Sequence, residues 1–358
     1  MKKNKEFLYE YLNAYSPAGQ EEEGQAIWRN YIEEHVDVIE TDAYGTSYGI
    51  KRSKTGNPLK VVIEAHCDEI AWIITNIEAD GMIRVKRHGG SDNMIAPSKT
   101  VMIHTHTGTK VKGLFGWPAI HTRSAGTIKG YEPHELWVDT GLKDLAAVNK
   151  AGVEVGNLIT FDDQFHEMGD YYVGRSLDNK IGGYIIAEAL REISEKKYEL
   201  PFDLYVVNAV QEEVGLFGAK RIAKHLQADL ALVHDVCHSL SLKMDAAKEG
   251  SMLAGKGPAI EYTPQNHRGI NKLLRKVADK NKIPLQLIVG STGNDTIAFF
   301  LENTITAILA TPLKYMHTTT EMCSKKDVKR AIKMFVEFLL ELTPDNINAL
   351  NNRYIVNK

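Results

Sequence analysis

Five short apolar runs constrain the fold of this chain more than any other feature. LKVVIEAH (59–66), FDLYVVNAV (202–210) and ADLALVHDV (228–236) are largely continuous and bounded by polar residues, and LQLIVG (285–290) and TAILAT (306–311) are weaker versions of the same pattern. A strand with one wet face alternates apolar and polar residues. A continuous run means burial on both faces, which requires helices above and below the sheet. Between the runs, apolar residues recur three and four apart over Gln20–His35, Asn179–Glu195, Gly218–Leu226, Gly269–Lys282 and Lys325–Leu342, the period of amphipathic helices. The expected fold class is therefore α/β, a central sheet covered by helices.

The texture changes between about Asn76 and His166. Helical periodicity is confined there to a short stretch, Leu142–Ala151. The rest reads as short alternating segments separated by glycines, such as GMIRVKRHGG, KTVMIHTHTGTKVKGLFGW and ELWVDTG. The expectation is an α/β domain made of residues 1–75 and 167–358, interrupted by a β-rich domain at 76–166.

Composition narrows the function classes. With 358 residues, 43% hydrophobic and 25% charged, the chain is expected to fold as a globular protein. Lys and Arg total 43 against 46 Asp and Glu, so it lacks the basic excess that neutralises a phosphate backbone, and nucleic acid is not an expected partner. No run approaches the eighteen or so apolar residues that span a bilayer. The start, MKKNKEFLYEYL, reads as an amphipathic helix, and the three cysteines, Cys67, Cys237 and Cys323, form no disulfide framework. A cytoplasmic protein in a reducing compartment is expected.

Chemistry-bearing residues collect at the carboxyl ends of the expected strands, where open α/β sheets place their ligand sites. AHCDEI puts His66 and Asp68 on one strand face with Cys67 turned away. Alone, a His-x-Asp pair describes more structural histidines than metal ligands. In SLDNKIGG, Asp178 opens a helix, which an ordinary N-cap would also do. In NAVQEEVGLFGA two adjacent glutamates, Glu212 and Glu213, end a buried strand, and like charges held there call for a cation or a proton nearby. Asp235 ends a further strand, and His317 follows another after a proline. Together these residues supply two histidines and three carboxylates suited to a pair of divalent ions, with a fourth carboxylate left to move a proton. That is the donor set of a dinuclear hydrolase, although the sequence itself does not say which of Glu212 and Glu213 is ligand and which is base.

On these motifs, with DAYGT near residue 43, GKGPAI (255–260), GSTGNDT (290–296) and YMHTTTE (315–321), the sequence resembles the tetrahedral, or TET, family of dinuclear metallo-aminopeptidases, some of which carry an endoglucanase label. The resemblance implies that Asp178 bridges two metal ions, that His66 and Asp235 complete one site, and that Glu213 and His317 complete the other. It implies Glu212 as general base, Asp68 as the group orienting His66, and two divalent ions per subunit, zinc or cobalt. It also implies peptide substrates cut at the first bond, a β-barrel-like dimerisation domain, and a homo-oligomer of dimers in a tetrahedral dodecamer. The chain departs from the family pattern at Cys67, at Lys180 and at Thr318–Thr319, none of them a ligand, and around 291–296, where a loop helps to form the substrate pocket. Asp295 is the pocket residue which that loop suggests.

Other readings are a carboxypeptidase or deacylase on the same scaffold, a metal-free glycosidase using Glu212 with a second carboxylate, and a non-catalytic assembly protein. The glycosidase leaves both histidines unexplained, and a non-catalytic protein would be expected to have lost a ligand or the base. Cys67 reads as an inert buried thiol. His121, in GLFGWPAIHT, reads as a surface or structural residue, with a neighbouring subunit's site as the less favoured alternative.

Overall fold

The computed structural model describes residues 2–56, 59–122, 132–290 and 293–351. Its centre is a run of strands in the order Ser47–Lys51, Asp203–Ala209, Lys60–His66, Leu230–His238, Ile305–Lys314 within an eleven-stranded mixed sheet. The last four are parallel to one another. Their burial is nearly continuous, as the unbroken apolar runs require: Val61, Val62, Ile63, Val206, Val207, Leu232 and Val233 are all fully buried.

Helices close both faces. The helix Leu177–Glu195 is buried around most of its circumference, and it packs on the strand Lys60–His66 and on the helix Lys325–Glu341. The latter is amphipathic, with Val328, Ala331, Ile332, Phe335, Phe338 and Leu339 inward, and Ser324 caps it by accepting a hydrogen bond from the Lys326 N–H at 3.2 Å. On the other face Ala219, Ile222, Ala223 and Leu226 of the helix Phe217–Leu226 pack on Val62, Val207 and Val233. The expected short helix at 142–151 is trimmed to Leu145–Lys150 because Asp144 caps it, its carboxylate accepting from the Ala147 N–H at 2.8 Å. The helix expected from Gln20 starts at Glu22, and its last turn tightens to a 3-10 turn over Glu33–His35.

A second unit is a closed barrel of six strands, in the order Ala71–Ile77, Ile83–His88, Trp137–Asp139, Lys110–Phe115, Thr100–His104, Leu158–Phe161. Trp72, Ile74, Val101, Ile103, Phe115, Val138 and Ile159 fill it. Closure leaves no open sheet edge. The fold class is the one expected, a helix-covered sheet with a barrel-like β unit. Among the described residues no helix is long and apolar enough to cross a membrane.

Register sets the heights of the site residues. His66 pairs with Ala209, and Val233 pairs with Glu64, so Asp235, two residues on, is level with His66. Adjacent strands thus deliver His66, Asp235 and the Glu212–Glu213 turn to one edge.

Candidate metal centre

Five side chains meet at that edge around Asp178. Its Oδ1 lies 3.3 Å from His66 Nε2, and its Oδ2 lies 3.4 Å from His317 Nε2. Asp235 Oδ1 is 3.8 Å from His66 Nε2, and Glu213 Oε1 is 3.4 Å from His317 Nε2. Two donors about 2.0–2.1 Å from one tetrahedral ion lie about 3.4 Å apart, so these spacings fit shared ions. The donor atoms of His66, Asp178 and Asp235 all lie within 4.8 Å of one another, and so do those of Asp178, Glu213 and His317. A third group, His66 with Glu212 and Glu213, meets the same limit, with Glu212 Oε2 3.9 Å from His66 Nε2. Imidazole and carboxylate are suited to divalent ions of zinc or cobalt type.

The backbone is bent to make this cluster. Gln211 (φ 59°), Ser176 (φ 53°) and His317 (φ 61°) all adopt the left-handed conformation, which is uncommon outside glycine and concentrates at functional sites. Asp68, fully buried, holds the Glu212–Glu213 turn by accepting the Glu212 N–H at 2.9 Å and the Glu213 N–H at 3.0 Å. The same carboxylate stands 3.4 Å from His66 Nδ1, on the far side of the ring from Asp178.

Glu321 plays the matching part on the other side, and the motif reading passed over it. It accepts the His317 N–H at 2.7 Å through one oxygen and the Asp178 N–H at 3.0 Å through the other. The chain brings it there by pairing Glu321 with Gly174 across antiparallel strands, next to the turn that leads to Asp178. Gly90, at the end of a barrel strand, is a second contact the sequence did not disclose. A Cβ there would stand 2.4 Å from His317 Nδ1. Phe161 of the barrel, with Arg175, Ser176 and Thr318, lines the cleft beside Asp178, Glu213 and His317.

Electrostatics follow from crowding charge out of water. Burial pushes the Glu212 carboxyl up to about 9, with Asp295, Glu213 and Asp68 adding to its rise. Burial also raises Glu213, Asp235 and Glu321. For His317 burial favours the neutral ring, but Asp178 and Glu213 outweigh it and lift the imidazole to about 11. Burial works likewise on His66, yet Glu212, Asp178 and Asp68 raise it well above the usual range. Asp178 is pulled the other way: burial raises it, but hydrogen bonds from His317 and His66 hold it below the usual carboxylate range. Four acids around two imidazoles form a cluster whose protons a cation would displace.

Asp295, the residue expected in the substrate pocket, is a buried acid. It is 1% exposed and shut in against Glu64, itself fully buried; burial first and the Glu64 charge second push its carboxyl well up. Its charge adds to the rise of the Glu212 carboxyl. Ser291 and Thr292 of the same loop lie outside the described residues. Cys67 is fully buried, its sulfur directed toward Gly24, and burial raises its thiol well above the usual range. His121 lies on an exposed turn, Ile120–Thr122, and belongs to none of the gathered ligand groups among the described residues.

A family model described as M42 glutamyl aminopeptidase matches residues 45–334. The chain belongs to that family. It is a metal-dependent aminopeptidase, a hydrolase that uses divalent metal ions, as the resemblance implied. It is 28% identical to the lysyl aminopeptidase of Pyrococcus furiosus, over 81% of this chain and 84% of that protein. Among solved structures, an aminopeptidase of the archaeon Desulfurococcus kamchatkensis superposes with a TM-score of 0.90 at 28% identity, covering 99% of each chain. The TET1 peptidase of Pyrococcus horikoshii, described as able to assemble into a tetrahedron or a large octahedral shell, gives 0.84 at 25% identity, over 95% of this chain and 100% of that one.

Proposed function

We propose that this M42 aminopeptidase is dinuclear, with Asp178 bridging two ions, zinc or cobalt. In this reading His66 and Asp235 complete one site and Glu213 and His317 the other. The observation that carries it is that the two oxygens of one carboxylate, Asp178, face two different histidines, each with its own second carboxylate. Bound there, divalent ions lower the pKa of a water and polarise the scissile carbonyl.

The protein's own groups do the rest. Glu212 takes the proton of the attacking water and returns it to the leaving amine, a task suited to a carboxyl whose burial has raised its proton affinity. Asp68 fixes the His66 ring and, by holding two backbone N–H groups, keeps Glu212 facing the cluster. Glu321 fixes the peptides that carry His317 and Asp178. The participation of both histidines favours this chemistry over a glycosidase, which would need only the carboxylates.

The inserted domain expected at 76–166 is proposed to serve dimerisation; the barrel it carries starts earlier, with the strand Ala71–Ile77. Assembly of dimers into a tetrahedral dodecamer is supported by the TET1 relative, and a cytoplasmic location by the absence of disulfides among the three free cysteines. The deciding experiment strips the purified protein of metal, restores zinc, cobalt or manganese separately, and follows release of single residues from amino-acid p-nitroanilides and short peptides. Restored release from free amino termini, blocked by acetylation, is the expected result, and the panel identifies the preferred residue. Cleavage that resists chelation or ignores acetylation would refute the reading.

A further inference from the structure

Glu21 stands at the start of the helix Glu22–Ile32, far in sequence from every residue of the metal centre, and is only 3% exposed. A buried carboxyl is costly unless it is hydrogen-bonded. The Glu21 side chain makes no capping bond to its own helix. Instead one of its oxygens, Oε1, accepts two backbone N–H groups, that of Gly19 at 2.7 Å and that of Gln211 at 3.2 Å.

Gln211 directly precedes the Glu212–Glu213 pair, and its left-handed φ of 59° turns the chain there. Successive N–H groups in a turn of this kind converge into a concave site for acceptors of negative character. Two carboxyl groups of the protein itself fill it: Glu21 takes the Gln211 N–H, and Asp68 takes those of Glu212 and Glu213. The carbonyls of the same peptides are engaged too. Val210 O accepts the Gly218 N–H at 3.0 Å, Gln211 O the Phe217 N–H at 3.2 Å, and Glu212 O the N–H groups of Gly215 and Leu216 at 2.9 Å. Three successive peptides leading into and past Glu212 are thus held at both their N–H and their C=O, and Glu21 supplies the N–H partner of the first. The segment that carries Glu21 is itself fixed to the residue beside Asp68: Ala18 N–H bonds the Glu69 carbonyl at 3.1 Å, and Ser16 N–H bonds the Glu69 carboxylate at 2.9 Å. The two acids that hold the turn therefore rest on one frame.

We propose that Glu21 is a positioning residue for the peptidase reaction: by holding the Gln211 N–H it fixes the direction in which Glu212 points, and it does so through the reach of its acceptor oxygen rather than through its charge. This rests on the reading of Glu212 as general base. Because Oε1 alone takes both N–H groups, a neutral oxygen in the same place serves equally well. Reach matters because a general base works only within hydrogen-bond distance of the proton it takes, and a misplacement of about 1 Å costs up to about 10²-fold in rate.

Two conservative substitutions separate reach from charge. Glu21→Gln keeps the length and an acceptor oxygen but cannot ionise. Glu21→Asp keeps the acid, is one methylene shorter and, at a helix start, is drawn to the N–H groups of its own helix. Steady-state kinetics on an amino-acid p-nitroanilide at saturating metal should give Glu21→Gln a kcat within about threefold of the native enzyme and Glu21→Asp a kcat lower by about tenfold or more, with KM, metal content and circular dichroism unchanged in both. The shorter variant is then combined with Glu212→Gln. Since Glu21 acts through Glu212, Glu21→Asp should slow that enzyme by less than about a further twofold. Native kcat in Glu21→Asp, a loss in Glu21→Gln as large as in Glu21→Asp or larger, a loss carried by KM or by metal content, or the same loss with and without Glu212 would each overturn the proposal alone. Activity of the single Glu212→Gln variant within about tenfold of the native enzyme would overturn the base assignment, and this proposal with it.

Discussion

Glu212 and Glu213 are neighbours in sequence with different surroundings. Glu213 reaches His317 at 3.4 Å, while Glu212 faces His66 from 3.9 Å and has its proton affinity raised by burial. The two assignments separate in experiment. Glu212→Gln keeps the shape but loses the base, so kcat/KM should fall by about 10²–10⁴-fold with metal content by atomic absorption unchanged. Activity within tenfold of the native enzyme would assign the proton to another group. Glu321→Gln is expected to behave differently, because Glu321 bonds the backbone N–H groups of two ligands, His317 and Asp178. Exchanging one acceptor oxygen for a donor opposes the N–H of His317 or Asp178, so metal affinity should drop by about 10–100-fold. The signature is an activity curve shifted to higher metal concentration, with kcat largely recovered at saturation; a loss that excess metal does not repair would count against a positioning role.

Between elements, the barrel and the sheet meet at the metal centre. The strand Ala71–Ile77 leaves directly from the AHCDE segment, and after the next strand Gly89 and Gly90 return to press on Glu213 and His317. Gly90 has no left-handed φ, so substitution acts through contact rather than backbone strain. Gly90→Ala would force the His317 ring to move, and the expected outcome is loss of about one ion per chain with activity falling by more than about tenfold, the barrel and sheet still folded by circular dichroism. Full metal content in that variant would mean that His317 has room to yield. This contact also shows where sequence reading stops. His66, Glu212, Glu213 and Asp235 were legible because continuous apolar runs declare buried parallel strands, and such strands carry ligands at their carboxyl ends. Glu321 and Gly90 were not, since each reaches the site through a pairing or packing between segments far apart in sequence, and neither residue type advertises it locally. The pairing of Asp295 with Glu64 was not legible either, because Glu64 is buried on a strand that otherwise reads as apolar.

For the whole molecule, the charge cluster makes stability depend on pH and metal together. In the metal-free protein Glu212 holds its proton up to about 9 against an ordinary value of 4.5, and His317 holds its own up to about 11 against 6.5. Both folded-state values lie above the unfolded ones, so the folded chain binds more protons than the unfolded chain between roughly pH 4.5 and 11. The stability these groups contribute is present at the acid end and is lost as pH rises through the folded values; Asp235, also raised, acts in the same direction. Asp178, whose value is depressed, contributes the opposite dependence only below the ordinary aspartate range. Metal reverses the trend, because ions compete with those protons for the same atoms and bind better as pH rises. Calorimetric melting from pH 5 to 9 should therefore show the chelated protein losing stability toward high pH, and the difference between metal-loaded and chelated protein widening over the same interval. A metal-induced increase in melting temperature that stayed constant from pH 5 to 9 would mean that the ions displace no protons from His317 and the buried acids, and that the ligand set lies elsewhere.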